Sequence, residues 1–379
     1  MDVIYHLLTN VLHGIIYYLL PFVMVLGIMI FFHELGHFLV AKAFGVKVLK
    51  FALGFGPKMV GRTFGETEYS IRYFPLGGFV KMLGEDLDEE EEQKALPPEE
   101  QEHAFNHQHV LKRIAIVAAG PVFNLALALF LFGGLFFFAG MQVLTPRIGQ
   151  VREGSPADRA GLRKGDLITA VQGRPIERWS EIKALVEGRK GRPVRLTVER
   201  SGELTTLDVT PEEARVKNEF GEEVKTSLIG IVASGDVLTL ELGLWRAAKE
   251  ACRETWKWTK LTFLVIGKLF QGVVSIKTIG GPILIGQMTG QIAQESFRYL
   301  IPFMGIITIN LGILNLFPIP ILDGGVIVFL LIELLLGKPL SLKTREWAQK
   351  VGLGLLILLM LIVTYNDLAR LPLFEKLLG

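Results

Sequence analysis

One five-residue stretch of the sequence combines metal-binding and acid–base groups: His33-Glu34-Leu35-Gly36-His37. On a helix, residues four apart share a face, so both imidazoles can reach one metal ion. Glu34 then stands beside the metal as general base for an attacking water. The flanking sequence is apolar and rich in Phe, and ionisable groups in such surroundings are costly unless they pair or bind something. Pairing with neighbouring helices is the plainer reading. A hydrolytic zinc site takes three protein ligands and keeps one position open. The candidate third ligand is Asp323, in Asn315-Leu316-Phe317-Pro318-Ile319-Pro320-Ile321-Leu322-Asp323-Gly324-Gly325, the sole acidic residue between Glu295 and Glu333. Pro318 and Pro320 interrupt helical hydrogen bonding there, freeing backbone groups to face substrate or water. The plainer reading of Asp323 is a helix-end aspartate before Gly-Gly.

These residues need a scaffold, and composition says which kind. Half of the 379 residues are hydrophobic and mean hydropathy is positive, +0.41. One soluble core does not normally hide that much apolar surface, so a membrane is the first expectation. A net charge of +2 gives no reason to invoke nucleic acid as a partner. A single cysteine, Cys252, excludes an internal disulfide. Four stretches are long and apolar enough to span a bilayer: Ile15 to Val40, Leu111 to Phe138, Tyr299 to Leu322 and Val351 to Leu368. The first lacks a basic n-region and outruns a signal-peptide h-region, so it reads as a retained helix. The apolar run from Gly324 to Leu336 either continues the third helix or forms a separate re-entrant piece.

The expected fold is therefore a polytopic α-helical membrane protein of about four transmembrane helices, with a small membrane-associated β-sheet and one α+β domain. Residues 1–144 form an N-terminal membrane region, 145–234 a soluble domain, 235–297 interfacial amphipathic helices, and 298–379 a C-terminal membrane region. No Lys or Arg precedes Lys42. Lys42, Lys47 and Lys50 follow the first helix, Lys112 and Arg113 precede the second, and Lys338, Lys343, Arg345 and Lys350 separate the last two. Those two loops are expected in the cytoplasm, with both termini and the soluble domain outside. Val46 to Met82 reads as an antiparallel sheet at the membrane surface, and Glu85 to Glu102 as a solvated acidic loop. Trp245, Trp256 and Trp258 lie among Lys249, Lys257, Lys260 and Lys268, a mixture that suits helices lying in the interface of the lipid bilayer.

The His-Glu-x-x-His helix, the distant Leu322-Asp323-Gly324 and Gly120-Pro121-Val122-Phe123-Asn124 on the second helix together resemble the site-2 protease family of intramembrane metalloproteases. The likeness covers nearly the whole chain. It is strongest to the bacterial group that processes anti-sigma factors and remnant signal peptides. The resemblance implies zinc (Zn2+) held by His33, His37 and Asp323, with Glu34 catalytic. It also implies single-span membrane-protein substrates and a place in the bacterial inner membrane. By the same resemblance Asn315, with Pro318 and Pro320, meets substrate near the zinc, while Asn124 and Asn310, like Gly120 and Pro121, stabilise the bundle. Many family members carry two tandem soluble modules; this chain has room for one.

Ser155 to Ile168 resembles a PDZ signature, with Leu228 to Val232 as the strand expected to take a peptide ligand. The strand around Tyr69, Ile71 and Tyr73 is expected, by family analogy, to offer a sheet edge to an unwound substrate. His103, His107 and His109 suggest a second metal but lack an acid or cysteine to complete it. Two other functions fit the same residues: a membrane-tethered PDZ scaffold around a structural metal, and a metal-ion transporter. A structural metal would need a fourth ligand and a transporter a string of polar groups, and neither is evident.

Overall fold

The computed structural model describes residues 13–85 and 97–370. The central part of the acidic stretch and the extreme termini lie outside them. The described residues form two compact units: residues 1–134 with 247–379, and 135–246.

The first unit is a helical bundle. Helix α1 (Leu20–Ala43) follows a π-helical turn at Ile15–Leu19. It leads into the long strands β1 (Val48–Phe64) and β2 (Thr67–Met82). A single turn, α2 (Pro98–Gln101), precedes α3 (Val110–Ala139). Among the described residues, four helices are long and apolar enough to cross a membrane: Ile15–Ala43, Val110–Ala139, Phe297–Asn315 and Leu342–Ala369. Large apolar side chains such as Phe130, Leu358 and Leu361 point outwards from them, which water would penalise and lipid does not. Inside, Val25, Met29, Leu127, Leu300 and Met304 pack together. Ala41, Val48, Phe51, Val80, Ile116, Val117 and Leu330 form a second cluster beneath the sheet.

Strand β1 bends where Gly54 and Gly56 take φ of 87° and 84°, a backbone region only glycine enters freely. The bend lets β1 pair twice with β2. Residues 50–53 face 78–81 on one side and 68–71 on the other, while 58–64 pair with 67–72. Tyr69 therefore has both Phe51 and Arg62 as partners, and Ile71 has both Leu53 and Val60. The edge expected at Tyr69 and Ile71 is an inner strand, because β1 folds back over it. Tyr73 is largely exposed. The outer strands are residues 58–64 of β1 and residues 78–82 of β2.

The second unit begins in the last turns of α3. It contains β3 (Met141–Leu144), β4 (Ile148–Val151), α4 (Pro156–Arg159), β5 (Leu167–Val171), β6 (Arg174–Pro175), α5 (Trp179–Val186), β7 (Val194–Arg200), β8 (Glu203–Val209), β9 (Glu212–Lys217), β10 (Glu223–Leu228), β11 (Ile231–Ala233) and β12 (Val237–Leu240). A four-stranded sheet in the order β6-β5-β7-β8 is joined by the pairs β10-β9, β11-β4 and β12-β3. Alternate residues of β7 (Val194, Leu196, Val198) meet Ile168, Val171, Ile182 and Ile229 in the core, the period of two that one buried face requires. Asp166 is buried, accepting from Arg200 Nε and Nη2 at 2.8 Å and from the Arg163 amide at 2.8 Å. Burial pushes its carboxyl up, but Arg200 and the Arg163 amide outweigh that and hold it below the ordinary 3.8. The strand expected from Leu228 to Val232 is interrupted: Leu228 ends β10, Ile229 is buried, and Gly230 turns the chain at φ 86° before β11.

The chain returns to the bundle with α6 (Leu244–Phe270), whose apolar and charged residues segregate on opposite faces, then α7 (Pro282–Glu295), α8 (Phe297–Asn315), α9 (Asp323–Leu336) and α10 (Leu342–Ala369). The third span is shorter than expected. It ends at Asn315, because Pro318 and Pro320 cannot continue helical hydrogen bonding. Residues 316–322 run irregularly, and Asp323 opens a separate helix of 14 residues, too short to span a bilayer. Of the two readings of the run after Gly324, the separate piece is the observed one.

Candidate metal centre

Helix α1 carries His33 and His37 one turn apart, both buried, with their Nε2 atoms 3.3 Å from each other. Asp323, at the start of α9, brings Oδ2 to 3.2 Å from His33 Nε2 and Oδ1 to 3.7 Å from His37 Nε2. Zinc bonds of about 2.0–2.1 Å at tetrahedral angles put neighbouring ligand atoms roughly 3.4 Å apart. The three observed separations lie within a few tenths of an ångström of that edge length. Asp323 Oδ2 is buried and has no hydrogen-bond partner, an expensive state for a carboxylate oxygen that a cation would relieve. Two imidazoles and one carboxylate are also the donor set of hydrolytic zinc sites. The residues present fit the ion. Among the described residues no fourth His, Cys, Asp or Glu joins the cluster, and no second cluster of three forms. The metal considered at His103, His107 and His109 is thus not assembled; His103 Nδ1 contacts the Gly45 carbonyl oxygen at 2.7 Å instead.

Helix α3 orients both histidines. His37 Nδ1 donates to the Ile116 carbonyl at 2.9 Å, which leaves Nε2 with a free lone pair. Asn124, fully buried, lies with its amide 3.1 Å from His33 Nδ1. Its Oδ1 has no partner. A ligating His33 must carry its proton on Nδ1, and turning the amide over gives that proton an acceptor and Oδ1 a donor at once. Asn124 links α3 to α1 through the His33 ring, a partnership that sequence spacing alone does not reveal. A Cβ on Gly120 would stand 2.2 Å from His37 Nε2 and 2.8 Å from His33 Cε1, so only glycine leaves room for both rings. Pro121 sits inside α3, and its carbonyl would lie 3.0 Å from a Cβ on Gly312 of α8. Gly324 and Gly325 play the matching part on α9: a Cβ on either would come within 2.2 Å of the carbonyl oxygens of Leu316 and Ile319. The irregular Pro318–Pro320 segment therefore packs directly on the helix that begins with Asp323.

Asn315 Nδ2 lies 3.2 Å from His33 Nε2, at the atom a metal would take. Asn310, further along α8, accepts from Thr262 Oγ1 of α6 at 2.7 Å and is not at the centre. Glu34 lines the same cavity as the two histidines and Asp323. Its carboxylate accepts a hydrogen bond from the Val80 amide, and a Cβ on Gly78 would stand 3.0 Å from its Cγ. The open side of β2 thus runs past the acid–base residue. A cavity of about 1090 Å³ is lined by His33, Glu34, His37 and Asp323, by Phe79 to Met82, and by Arg113, Glu333 and Arg345.

The sequence pattern of peptidase family M50 matches residues 21–359. A protein of Agrobacterium fabrum, provisionally named a zinc metalloprotease, is 35% identical over 362 residues, 93% of this chain and 96% of its own length. A similarly named protein of Campylobacter jejuni is 36% identical over 96% of this chain and 97% of its own length. The regulator of sigma-E protease of Salmonella typhimurium is 31% identical over 94% of this chain and 100% of its own length. That last alignment runs over 457 positions, more than this chain has, so part of that relative has no counterpart here.

Proposed function

The chain belongs to peptidase family M50, the site-2 protease family, and is a zinc metalloprotease; from that premise we propose that it hydrolyses peptide bonds in the transmembrane segments of single-span membrane proteins. The observation that carries the reading is the triangle of His33, His37 and Asp323 at zinc-tetrahedron spacing, with Glu34 beside it, inside a bundle of lipid-exposed helices. Anti-sigma factors and remnant signal peptides are the substrates the family likeness suggests.

His33, His37 and Asp323 hold the ion, and Asn124 and Ile116 keep the two imidazoles in the ligating tautomer. Zinc bound there supplies Lewis acidity, acidifying water and polarising the scissile carbonyl. Glu34 takes the proton of the attacking water and passes it to the leaving amine. The Asn315 amide, beside His33 Nε2, would donate to substrate backbone when that nitrogen is a ligand, with Pro318 and Pro320 shaping the adjoining wall. A scissile amide in a helix is hidden by its own hydrogen bonds, so the substrate must be extended before attack. The open side of residues 78–82, beside Glu34, suits that task by strand addition. The cavity shared with Arg113 gives water a route to the site.

In the orientation set by the lysines and arginines, the site lies in the inner half of a bacterial inner membrane, with both termini and the α+β unit outside. That unit serves as a PDZ-like filter or peptide reader, with β11 as the receiving strand. The test is cleavage of a tagged single-span peptide by purified protein, wild type beside Glu34→Gln, with zinc measured in both. Loss of about 10²–10⁴-fold in turnover at equal zinc is expected. Equal turnover would remove Glu34 from the mechanism, and zinc binding without cleavage of any of several substrates would favour a scaffold.

A further inference from the structure

Arg113 and Glu333 form a buried, two-pronged ion pair that the hydrolytic chemistry leaves unused. Nη1 and Nη2 of Arg113 reach Oε2 and Oε1 of Glu333 at 3.2 and 2.5 Å, and both side chains are about nine-tenths buried. Arg113 Nε donates to the Gln108 carbonyl at 3.0 Å, fixing the fork. Arg345 of α10 approaches the same carboxylate at 4.0 Å. Burying such a pair between apolar segments brings little net stability by itself, so a positional role is the natural question.

The answer lies in which helices the pair joins. Arg113 is in the first turn of α3, the helix whose Ile116 and Asn124 hold His37 and His33. Glu333 is near the end of α9, the helix that begins with Asp323. At 1.5 Å per residue, Arg113 to Asn124 covers about 16 Å and Asp323 to Glu333 about 15 Å. Two rigid rods of equal reach thus run between the same two places, the metal centre and the ion pair. Between them lie Val117, Val326 and Leu330, apolar contacts that are non-directional and tolerate sliding. A bidentate guanidinium–carboxylate contact does not tolerate it. Beyond the contacts of Asp323 to His33 and His37, its Oδ2 has no hydrogen-bond partner.

We propose that Arg113 and Glu333 are positioning residues for the metal centre: their ion pair sets the axial register of α9 against α3 and so holds Asp323 at ligating distance from the two histidines. The inference rests on the metal-site reading and adds to it a remote determinant of metal affinity.

The experiment uses the full-length protein in detergent, with zinc affinity measured by chelator competition and ligand geometry by the visible spectrum of the cobalt(II) form. Arg113→Gln and Glu333→Gln should each weaken zinc by about tenfold, the lower end of what outer-sphere partners contribute. The double variant should be no worse than either single one, and the four-coordinate cobalt bands should fade. Arg113→Lys keeps the charge but loses the fork, and should lie between wild type and Arg113→Gln. Should the Gln variants fail to fold, this variant decides. Wild-type zinc affinity and an unchanged cobalt spectrum in folded Glu333→Gln or Arg113→Lys would overturn the proposal. A wild-type protein that holds zinc and cuts nothing would instead sink the proteolytic reading and leave the clamp standing.

Discussion

Replacing Asn124 by Leu offers a sharp quantitative test of the centre. The substitution keeps a branched side chain of similar reach between α1 and α3 but removes the amide that stands 3.1 Å from His33 Nδ1 and, turned over, accepts its proton. In the zinc-bound protein that nitrogen carries a proton and is sealed from water, since Asn124 is fully buried and His33 nearly so. An unsatisfied buried donor costs about 1–3 kcal/mol. At about 1.4 kcal/mol per tenfold change in affinity, that is roughly a 5- to 150-fold weakening of zinc binding. The alternative for His33 is to place its proton on Nε2, which abolishes ligation there and moves the result further in the same direction. The assay is competition against a chromophoric chelator, with helix content checked by circular dichroism. Asn124→Asp keeps an acceptor at the same place and should hold zinc within a few-fold of wild type. If folded Asn124→Leu binds zinc within about twofold of wild type, the tautomer argument is wrong and Asn124 is packing only.

Other outcomes follow from the same geometry. Gly120→Ala puts a methyl 2.2 Å from His37 Nε2; zinc content should fall below about one-tenth of wild type in a still-helical protein, as metal analysis would show. Val80→Pro removes the amide that faces Glu34 on the open side of β2. Cleavage should drop at least about tenfold with zinc retained, and undiminished cleavage would refute presentation of substrate along residues 78–82. Asp166, whose carboxyl is held below its ordinary value by Arg200 and Arg163, stabilises the α+β unit above pH 3.8 and loses that contribution as pH falls through its lower folded value. Asp166→Asn should flatten this acid limb in thermal melts of the full protein, at a cost of about 1.5–3 kcal/mol at neutral pH.

The grouping of His33, His37 and Asp323 was legible because helical spacing fixes which side chains share a face, and because acidic residues are so scarce in apolar sequence that Asp323 stands alone. Span positions were legible from hydropathy to within a few residues, except where Pro318 and Pro320 broke a run that hydropathy treats as continuous, and at the start of the last helix, which begins at Leu342 rather than Val351 because its first two turns are charged. What stayed hidden depends on chain reversal. Nothing in the alternation of Tyr69, Ile71 and Tyr73 says that β1 will bend at Gly54 and pair with them on their other side, which leaves residues 58–64 and 78–82 as the outer strands. Nor does a Gly-Pro-x-x-Asn pattern tell which atom its asparagine meets. A buried amide among apolar helices announces a partner without naming it, and the partner was a metal ligand. Arg113 and Glu333 lie 220 positions apart, beyond any local periodicity.

The split of the metal ligands between the two ends of the chain also matters during biosynthesis. His33 and His37 enter the membrane early, whereas Asp323 leaves the ribosome only after most of the protein has been made. At about 5–20 residues per second, the roughly 290 residues between them take on the order of 15–60 s to translate. Throughout that interval the nascent chain holds two imidazoles and no complete hydrolytic centre. On the proposed assignment of the ligands, a copy that lacks Asp323 would lack a complete centre, and proteolytic competence would arrive only with the last part of the bundle.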